Sequence, residues 1–375
     1  MGGCTTPSRR LEPLGTPDIA SIGPTSMIQT LKIKNFTAFA TANLSFAKGV
    51  NVVIGSNGTG KSHLLKLAYS CARWSQEMAG RGQGDLARPD KATLQKELAG
   101  KLVRVFRAES VGRLSRRAQG LRRTEVEVNF YEKPKSAIGL SFSTKNTVDL
   151  NLDKVPSEFF SEESVFLPTK EMLSMFPGFA SLYRDRELAI DETYYDLCLA
   201  LDRPLLKGRR YDAINSLLKP VEAVLDGSIR VEGGRFYLVQ EGAGKFEIPL
   251  VAEGFRKLGA VAYLLANGTL AQQSLLFWDE PETNLNPRYM KDVANLLVDI
   301  ARHGTQVFIA THSLFMMREL SMLLQDSKVD KRFFALAKRD GAVRVSEGDS
   351  AEAVEPIEAL DAEMDQSERY LASTK

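Results

Sequence analysis

Apolar and polar residues alternate from Met27 to Lys34 and from Ala42 to Phe46, the period of half-buried strands. Gly49 to Ile54 is almost continuously apolar, which predicts a strand covered on both faces. A helix is expected from Lys61 to about Ser75, a Gly-rich surface connection from Gln76 to Pro89, and a basic helix from about Asp90 to Arg107. Glu125–Tyr131, Ala137–Ser143 and Val148–Leu152 then read as an antiparallel meander, and Ser164–Pro168 as one more short strand. Thr169 to Leu225 is mostly helical in pattern, broken at Pro177-Gly178, Arg203-Pro204 and Lys207-Gly208. A hairpin of Ile229–Tyr237 with Phe246–Leu250 is expected to turn at Glu241 to Gly244. Beyond it come a helix at Gly254–Leu265, a strand at Leu275–Trp278 and a helix at about Pro287–Arg302. The pattern closes with a strand at Gln306–Ala310, a helix at Ser313–Leu324, a strand pair near Phe333–Val345 and an acidic C-terminal helix.

Composition changes this picture in three places. The first 26 residues carry four prolines and no apolar period, so 1–26 is read as a disordered leader, although Met1-Gly2 with Thr6 formally matches a myristoylation signal. Three cysteines in no metal or redox spacing fit a reducing, cytoplasmic setting. No apolar run approaches a membrane span; the nearest, Leu258 to Ala266, is too short. The net charge of +2 hides a strong asymmetry. Between Lys101 and Arg123 stand Lys101, Arg104, Arg107, Arg113, Arg116, Arg117, Arg122 and Arg123 against Glu109 alone, whereas charges from Glu347 to Glu368 are all acidic. The first stretch suits a polyanion such as a nucleic acid, and the second repels one.

The chemistry begins where the buried strand ends. Gly55-Ser56-Asn57-Gly58-Thr59-Gly60-Lys61-Ser62 is Gly-x-x-x-x-Gly-Lys-Ser between a strand and a helix, a phosphate-binding loop in context. Its glycines let the backbone wrap a phosphate, Lys61 reaches the β- and γ-phosphates, and Ser62 completes a Mg²⁺ shell. Leu275-Leu276-Phe277-Trp278 leads to Asp279-Glu280-Pro281-Glu282, with Asp279 at the carboxyl end of a strand, where open α/β sheets hold ligands. Asp279 is expected to hold Mg²⁺, directly or through water, and Glu280 to orient or deprotonate the attacking water. Gln306 to Ser313 places His312 just past another buried strand, positioned to meet the γ-phosphate. His63 and His303 have no comparable setting, and Trp74 and Trp278 read as core. Without an Asn-Lys-x-Asp, ATP is expected rather than GTP.

Gly-x-Asn-Gly-x-Gly-Lys-Ser, Asp-Glu-Pro-Glu and Thr-His-Ser together resemble the ATPase heads of the ABC superfamily. The likeness is to the SMC, Rad50, RecF and OLD branch, which includes small ATPase subunits of bacterial anti-phage systems. It implies an α/β fold: an ABC-ATPase head with a P-loop mixed/parallel sheet core, an antiparallel β lobe and a helical lobe. On that expectation 27–346 is the head, with core at 27–75 and 246–346. The basic insert and antiparallel segment cover 76–168, the helical lobe 169–227, and 347–375 is the acidic helix. The resemblance also implies a homodimer or higher oligomer that sandwiches ATP, with Gly254 of Ala252-Glu253-Gly254-Phe255-Arg256-Lys257 reaching the other subunit's γ-phosphate in trans. Ala252 stands where relatives carry a signature serine, so that hydroxyl contact is missing. Asn284 to Pro287 resembles the segment that crosses the dimer interface, and Leu167 to Glu171 the place of a lobe-coupling glutamine, which this chain lacks.

Two functional readings follow. In the first, the ATPase works in nucleic-acid-linked defence or repair with a separate effector such as a nuclease, and Lys101–Arg123 is the docking surface. In the second, a nucleotide-gated scaffold restrains a toxin, which the acidic tail helps to hold. A transporter subunit would want an intact signature. A built-in nuclease would want an Asp-x-Asp after Val343–Asp349, and none follows.

Overall fold

The structure is a computed structural model and describes residues 27–81, 88–117, 122–186, 188–270, 273–325, 327–339 and 341–373. The expected leader, and 82–87 of the expected connection, lie outside the described residues. An antiparallel pair, β1 (Ile28–Phe36) and β2 (Phe39–Ser45), leads to β3 (Val50–Gly55), which is buried throughout. α1 (Lys61–Arg81) runs past Ser75, so the first part of the expected connection is helical, and α2 (Lys91–Phe106) follows. The meander is β4 (Arg123–Phe130), β5 (Ile138–Ser143) and β6 (Asn151–Lys154), before β7 (Ser164–Leu167). The helical region holds α3 (Phe179–Arg186), α4 (Glu192–Leu201) and α5 (Arg209–Leu225).

The expected two-stranded hairpin is a three-stranded sheet of β8 (Ser228–Glu232), β9 (Arg235–Gln240) and β10 (Gly244–Glu247). Glu232 pairs with Arg235, and Gly233 and Gly234 between them have φ of 56° and 72°. Two successive residues at positive φ make the turn type that matches strand twist, so Gly-Gly splits one apparent strand into two. Ile248–Leu250, expected as strand, is a 3-10 turn. Then come α6 (Glu253–Ala266), β11 (Leu275–Asp279), α7 (Pro287–Arg302), β12 (Gln306–Thr311) and α8 (Leu314–Gln325). α7 starts where local chemistry dictates: Asn286 caps the Arg288 amide and Pro287 occupies the first turn. β13 (Lys331–Arg339) and β14 (Ala342–Gly348) form a hairpin, and α9 (Glu358–Ser373) closes the described chain. The acidic segment from 347 thus makes a 3-10 turn at Ala351–Ala353 and is α-helical only from Glu358.

The main sheet has 11 strands in the order β6-β5-β4-β1-β2-β14-β13-β3-β12-β11-β7. β6, β5, β4, β1 and β2 are antiparallel neighbours; β13, β3, β12, β11 and β7 are parallel. One residue pair, Val343 with Phe39, joins the halves between β14 and β2. Two buried amides reinforce that thin junction. Gln306 donates to the Ile28 and Ala47 carbonyls and accepts from the Ile28 amide, each at 2.8 Å. Asn51 bonds both the amide and the carbonyl of Ala47. The parallel strands lack alternation because both their faces are covered. Val52, Leu276, Trp278, Val307 and Ile309 share a core with residues of α4 to α8, while Val53, Phe277, Phe308 and Ala310 share the other with α1, α2 and the antiparallel strands. Trp74 and Trp278 are both buried in these cores, as expected.

Lys101 corrects the reading of the basic stretch. Its side chain is fully buried, with the ammonium 2.8 Å from both Glu77 and Asp196 and 3.5 Å from Glu192. Burial alone would lower its pKa, but Asp196, Glu192 and Glu77 outweigh it and hold the amine above its ordinary value. Arg104 completes the knot by donating to Glu192 at 2.8 Å. These ion pairs bind α1 and α2 to α4; Lys101 is therefore a structural cation and no part of a docking surface. Lys101→Met strands buried acids and is expected to cost about 3 kcal/mol. Urea unfolding checks this, and a loss well under about 1 kcal/mol, the scale of an exposed pair, would contradict it.

Candidate functional site

The register of three parallel strands fixes where the motifs meet. Ile54 pairs with Thr311, and Ala310 with Asp279, so β3, β12 and β11 end side by side. The loop Gly55–Ser62, the carboxylates from Asp279 and His312 therefore emerge at one edge. Gly58 and Gly60 have φ of 79° and 93°, conformations that side chains rarely adopt. Lys61, 6% exposed, folds over the loop and donates to the Gly55 carbonyl at 2.6 Å and the Ser56 carbonyl at 3.1 Å. Burial lowers its pKa, while Glu280, Asp279 and Glu282 pull the other way. Asn57 and Gly58 are exposed at the loop's tip, and Thr59 donates to the Ser56 carbonyl.

Asp279 is 5% exposed. Burial raises its pKa, while a hydrogen bond from Ser62 opposes the rise. Its Oδ1 is buried without a hydrogen-bond partner in the protein. A hydroxyl and a carboxylate in contact, one oxygen unsatisfied, are the donor set a Mg²⁺ would complete with phosphate and water oxygens. No cage of three or more His, Cys, Asp or Glu side chains exists among the described residues.

Glu280 stands at φ 52°, in the left-handed region, with its amide bonded to the Ala310 carbonyl at 2.8 Å. One carboxylate oxygen lies 3.2 Å from His312 Nδ1, and the other accepts from Thr283 Oγ1 at 3.2 Å. The sequence reading gave Glu282 no role. It is buried, accepts from Thr311 Oγ1 at 2.5 Å and from the His312 amide at 3.3 Å, and so fixes the backbone that carries the histidine.

Gly254 is the second residue of α6, whose cap residue Ala252 supplies no side-chain hydrogen bond. A Cβ on Gly254 would lie 2.5 Å from Leu285 and 2.6 Å from the Asn284 carbonyl, so close packing requires glycine there. Glu171, at the place of the missing glutamine, is buried and accepts from Arg256 at 2.9 Å. Two further neighbours were not foreseen. Lys257 is buried and donates to the Thr283 carbonyl at 3.0 Å. Ser56 of the loop donates to Glu358, the first residue of α9. Sequence offered no signal for either, because both contacts span distant elements.

The remaining arginines of the basic stretch are dispersed. Arg113 pairs with Glu109, Arg123 with Asp153, and Arg107 donates to the Leu188 carbonyl. Arg113 also lines, with Arg116 and Arg117, a cavity of about 430 Å³ that reaches Gly58, with Lys338, His63 and Phe106 in its wall. His63 and Phe106 meet edge to face.

Residues 116–318 match the family described as "AAA domain, putative AbiEii toxin, Type IV TA system". This chain belongs to that AAA domain family. The matched span contains the carboxylates, His312 and the signature region and begins beyond the phosphate loop. The DNA double-strand break repair Rad50 ATPase of Pyrococcus abyssi (strain GE5 / Orsay) is 38% identical over 55 residues, which are 15% of this chain and 6% of that protein. An SMC head bound to the C-winged helix domain of ScpA aligns with 87% of this AAA domain protein and 98% of its own chain, at 16% identity and TM-score 0.53. An SMC head with an extended coiled coil, bound to the C-terminal domain of ScpA derived from Pyrococcus furiosus, aligns over 92% and 99% at 14% identity and TM-score 0.50. At those identities the structures speak for the fold. The AAA domain protein has the fold of an SMC-type ABC ATPase head, as the motifs implied. No helix among the described residues is long and apolar enough to cross a membrane.

Proposed function

We propose that this protein binds and hydrolyses ATP as an ABC-type head, closes as a dimer on the nucleotide, and regulates a separate effector. The effector is a nuclease or toxin acting in a nucleic-acid-linked process of defence or repair. The observation that carries the reading is the gathering of Lys61, Ser62, Asp279, Glu280 and His312 at the ends of β3, β12 and β11. Lys61 and the loop amides take the β- and γ-phosphates, with Gly55, Ser56, Asn57, Gly58, Thr59 and Gly60 supplying the wrap. Ser62 and Asp279 would hold a Mg²⁺, which would supply positive charge beside the phosphates. Glu280 takes or orients the water proton, and His312, bonded to Glu280, contacts the γ-phosphate. Gly254 of a second copy approaches the same phosphate in trans, which makes turnover depend on protein concentration. Turnover measured with light scattering, with and without a non-hydrolysed ATP analogue, tests this reading. A protein that neither binds ATP nor changes mass with the analogue would refute it.

The cavity beside Gly58 supports a second reading of part of the basic stretch. Its guanidinium groups and aromatic wall suit a nucleotide at least as well as a nucleic-acid backbone. Changing Arg113, Arg116 and Arg117 together to Ala is expected to weaken binding of an ATP analogue about ten-fold, or about 1.4 kcal/mol. If DNA affinity and its salt slope fall instead, with nucleotide affinity unchanged, the original docking reading holds. The toxin-restraining scaffold is favoured by one observation, the family's own association with a type IV toxin system. Retention of the effector by protein truncated before Ala351 would count against the acidic tail as its holder.

A further inference from the structure

The short segment after the carboxylates is held in an unusual shape. Glu280 and Asn284, neither of them glycine, have φ of 52° and 64°. Such residues cost backbone energy and persist where their surroundings enforce them. Inside the segment, the Thr283 amide bonds the Glu280 carbonyl at 3.1 Å and the Leu285 amide bonds the Glu282 carbonyl at 3.0 Å. From outside, α6 grips it twice. Gly254 packs on Asn284 and Leu285, and one turn further along the helix Lys257 donates to the Thr283 carbonyl at 3.0 Å.

Lys257 is 4% exposed, among the carboxylates of Glu253, Glu282, Glu280 and Asp279. Burying an ammonium costs several kcal/mol unless its surroundings repay it. A methionine would fill the same volume without that cost, so the charge itself calls for a use. Resting on the function proposed above, we infer that Lys257 is a positioning residue: it clamps the 280–285 turn to α6 and carries displacement of that helix to Glu280. The path is short. Lys257 holds the Thr283 carbonyl, and Thr283 holds both the carbonyl and the carboxylate of Glu280. Because Gly254 at the start of α6 faces the other subunit's phosphate in the proposed dimer, the clamp makes each subunit's Glu280 responsive to nucleotide in its neighbour.

Hydrogen exchange on the nucleotide-free protein and steady-state ATP turnover, for wild type, Lys257→Met and Lys257→Arg, test the clamp. In Lys257→Met the Thr283 and Leu285 amides should exchange about ten-fold faster, with β11 and the interior of α7 unchanged. Its kcat should fall about 30-fold and lose its steep dependence on protein concentration, while affinity for a fluorescent ATP analogue stays within about two-fold. Lys257→Arg, which keeps the charge, should recover most of both. Unchanged exchange at Thr283 and Leu285 overturns the clamp whatever turnover does. Faster exchange with wild-type kcat overturns its link to Glu280. Wild type that turns over no ATP refutes the proposed function instead, and the exchange result then decides the clamp alone.

Discussion

Lys61→Ala is expected to weaken ATP binding by more than about 100-fold. The Lys61 ammonium is the cation of the loop, buried and held over it by the Gly55 and Ser56 carbonyls. In the proposed mechanism it exchanges those neutral acceptors for charged phosphate oxygens. Two charge-assisted hydrogen bonds lost at about 1.5 kcal/mol each give about 3 kcal/mol, more than about 100-fold in Kd. Three acids, Glu280, Asp279 and Glu282, would also lose the cation that offsets their repulsion of a triphosphate. Calorimetric titration with an ATP analogue measures this, alongside a thermal melt to show that the chain still folds. Binding within about three-fold of wild type, under about 0.7 kcal/mol, would remove Lys61 from the site.

Glu280→Gln separates binding from chemistry. The amide keeps the size of the carboxylate and an oxygen for Thr283 or His312, so the turn and the phosphate loop should hold their geometry. It cannot accept the proton of the attacking water. Loss of a positioned general base costs about 100- to 10,000-fold in kcat, with ATP affinity little changed. In the proposed mechanism hydrolysis is what opens the closed dimer, so the variant should accumulate as an ATP-bound dimer. Single-turnover kinetics and light scattering in ATP read both effects. Wild-type turnover would exclude Glu280 as the base, whereas a slow variant that stays monomeric would leave the base in place and break the link between hydrolysis and opening.

Particular residues show how far local chemistry carries. Largely apolar strands flanked by Gly-Lys-Ser, Asp-Glu and Thr-His mark their own ends, since a strand covered on both faces reads as a near-continuous apolar run. The bounds of α7 follow from Asn286 and Pro287 within a few bonds of the chain. Gly233-Gly234 was equally local and could have been read, because two adjacent glycines between apolar strands are a turn signal in their own right.

Lys101, Lys257 and Glu358 were not legible in the same way. A lysine on a helix looks the same in sequence whether it meets water or Asp196, which lies 95 positions away. Packing of α4 against α2 makes Lys101 core, and seating of α6 against the turn that follows β11 lets Lys257 reach the Thr283 carbonyl. The fold likewise brings Glu358 to Ser56 across 302 positions. Motifs, their strand ends and the α/β class are legible in the chain alone, because backbone conformation and apolar period are short-range properties. Which charges face the Gly55–Ser62 loop and which hold the molecule together follows from packing, because a charge takes its partner and its cost from whatever the fold sets against it.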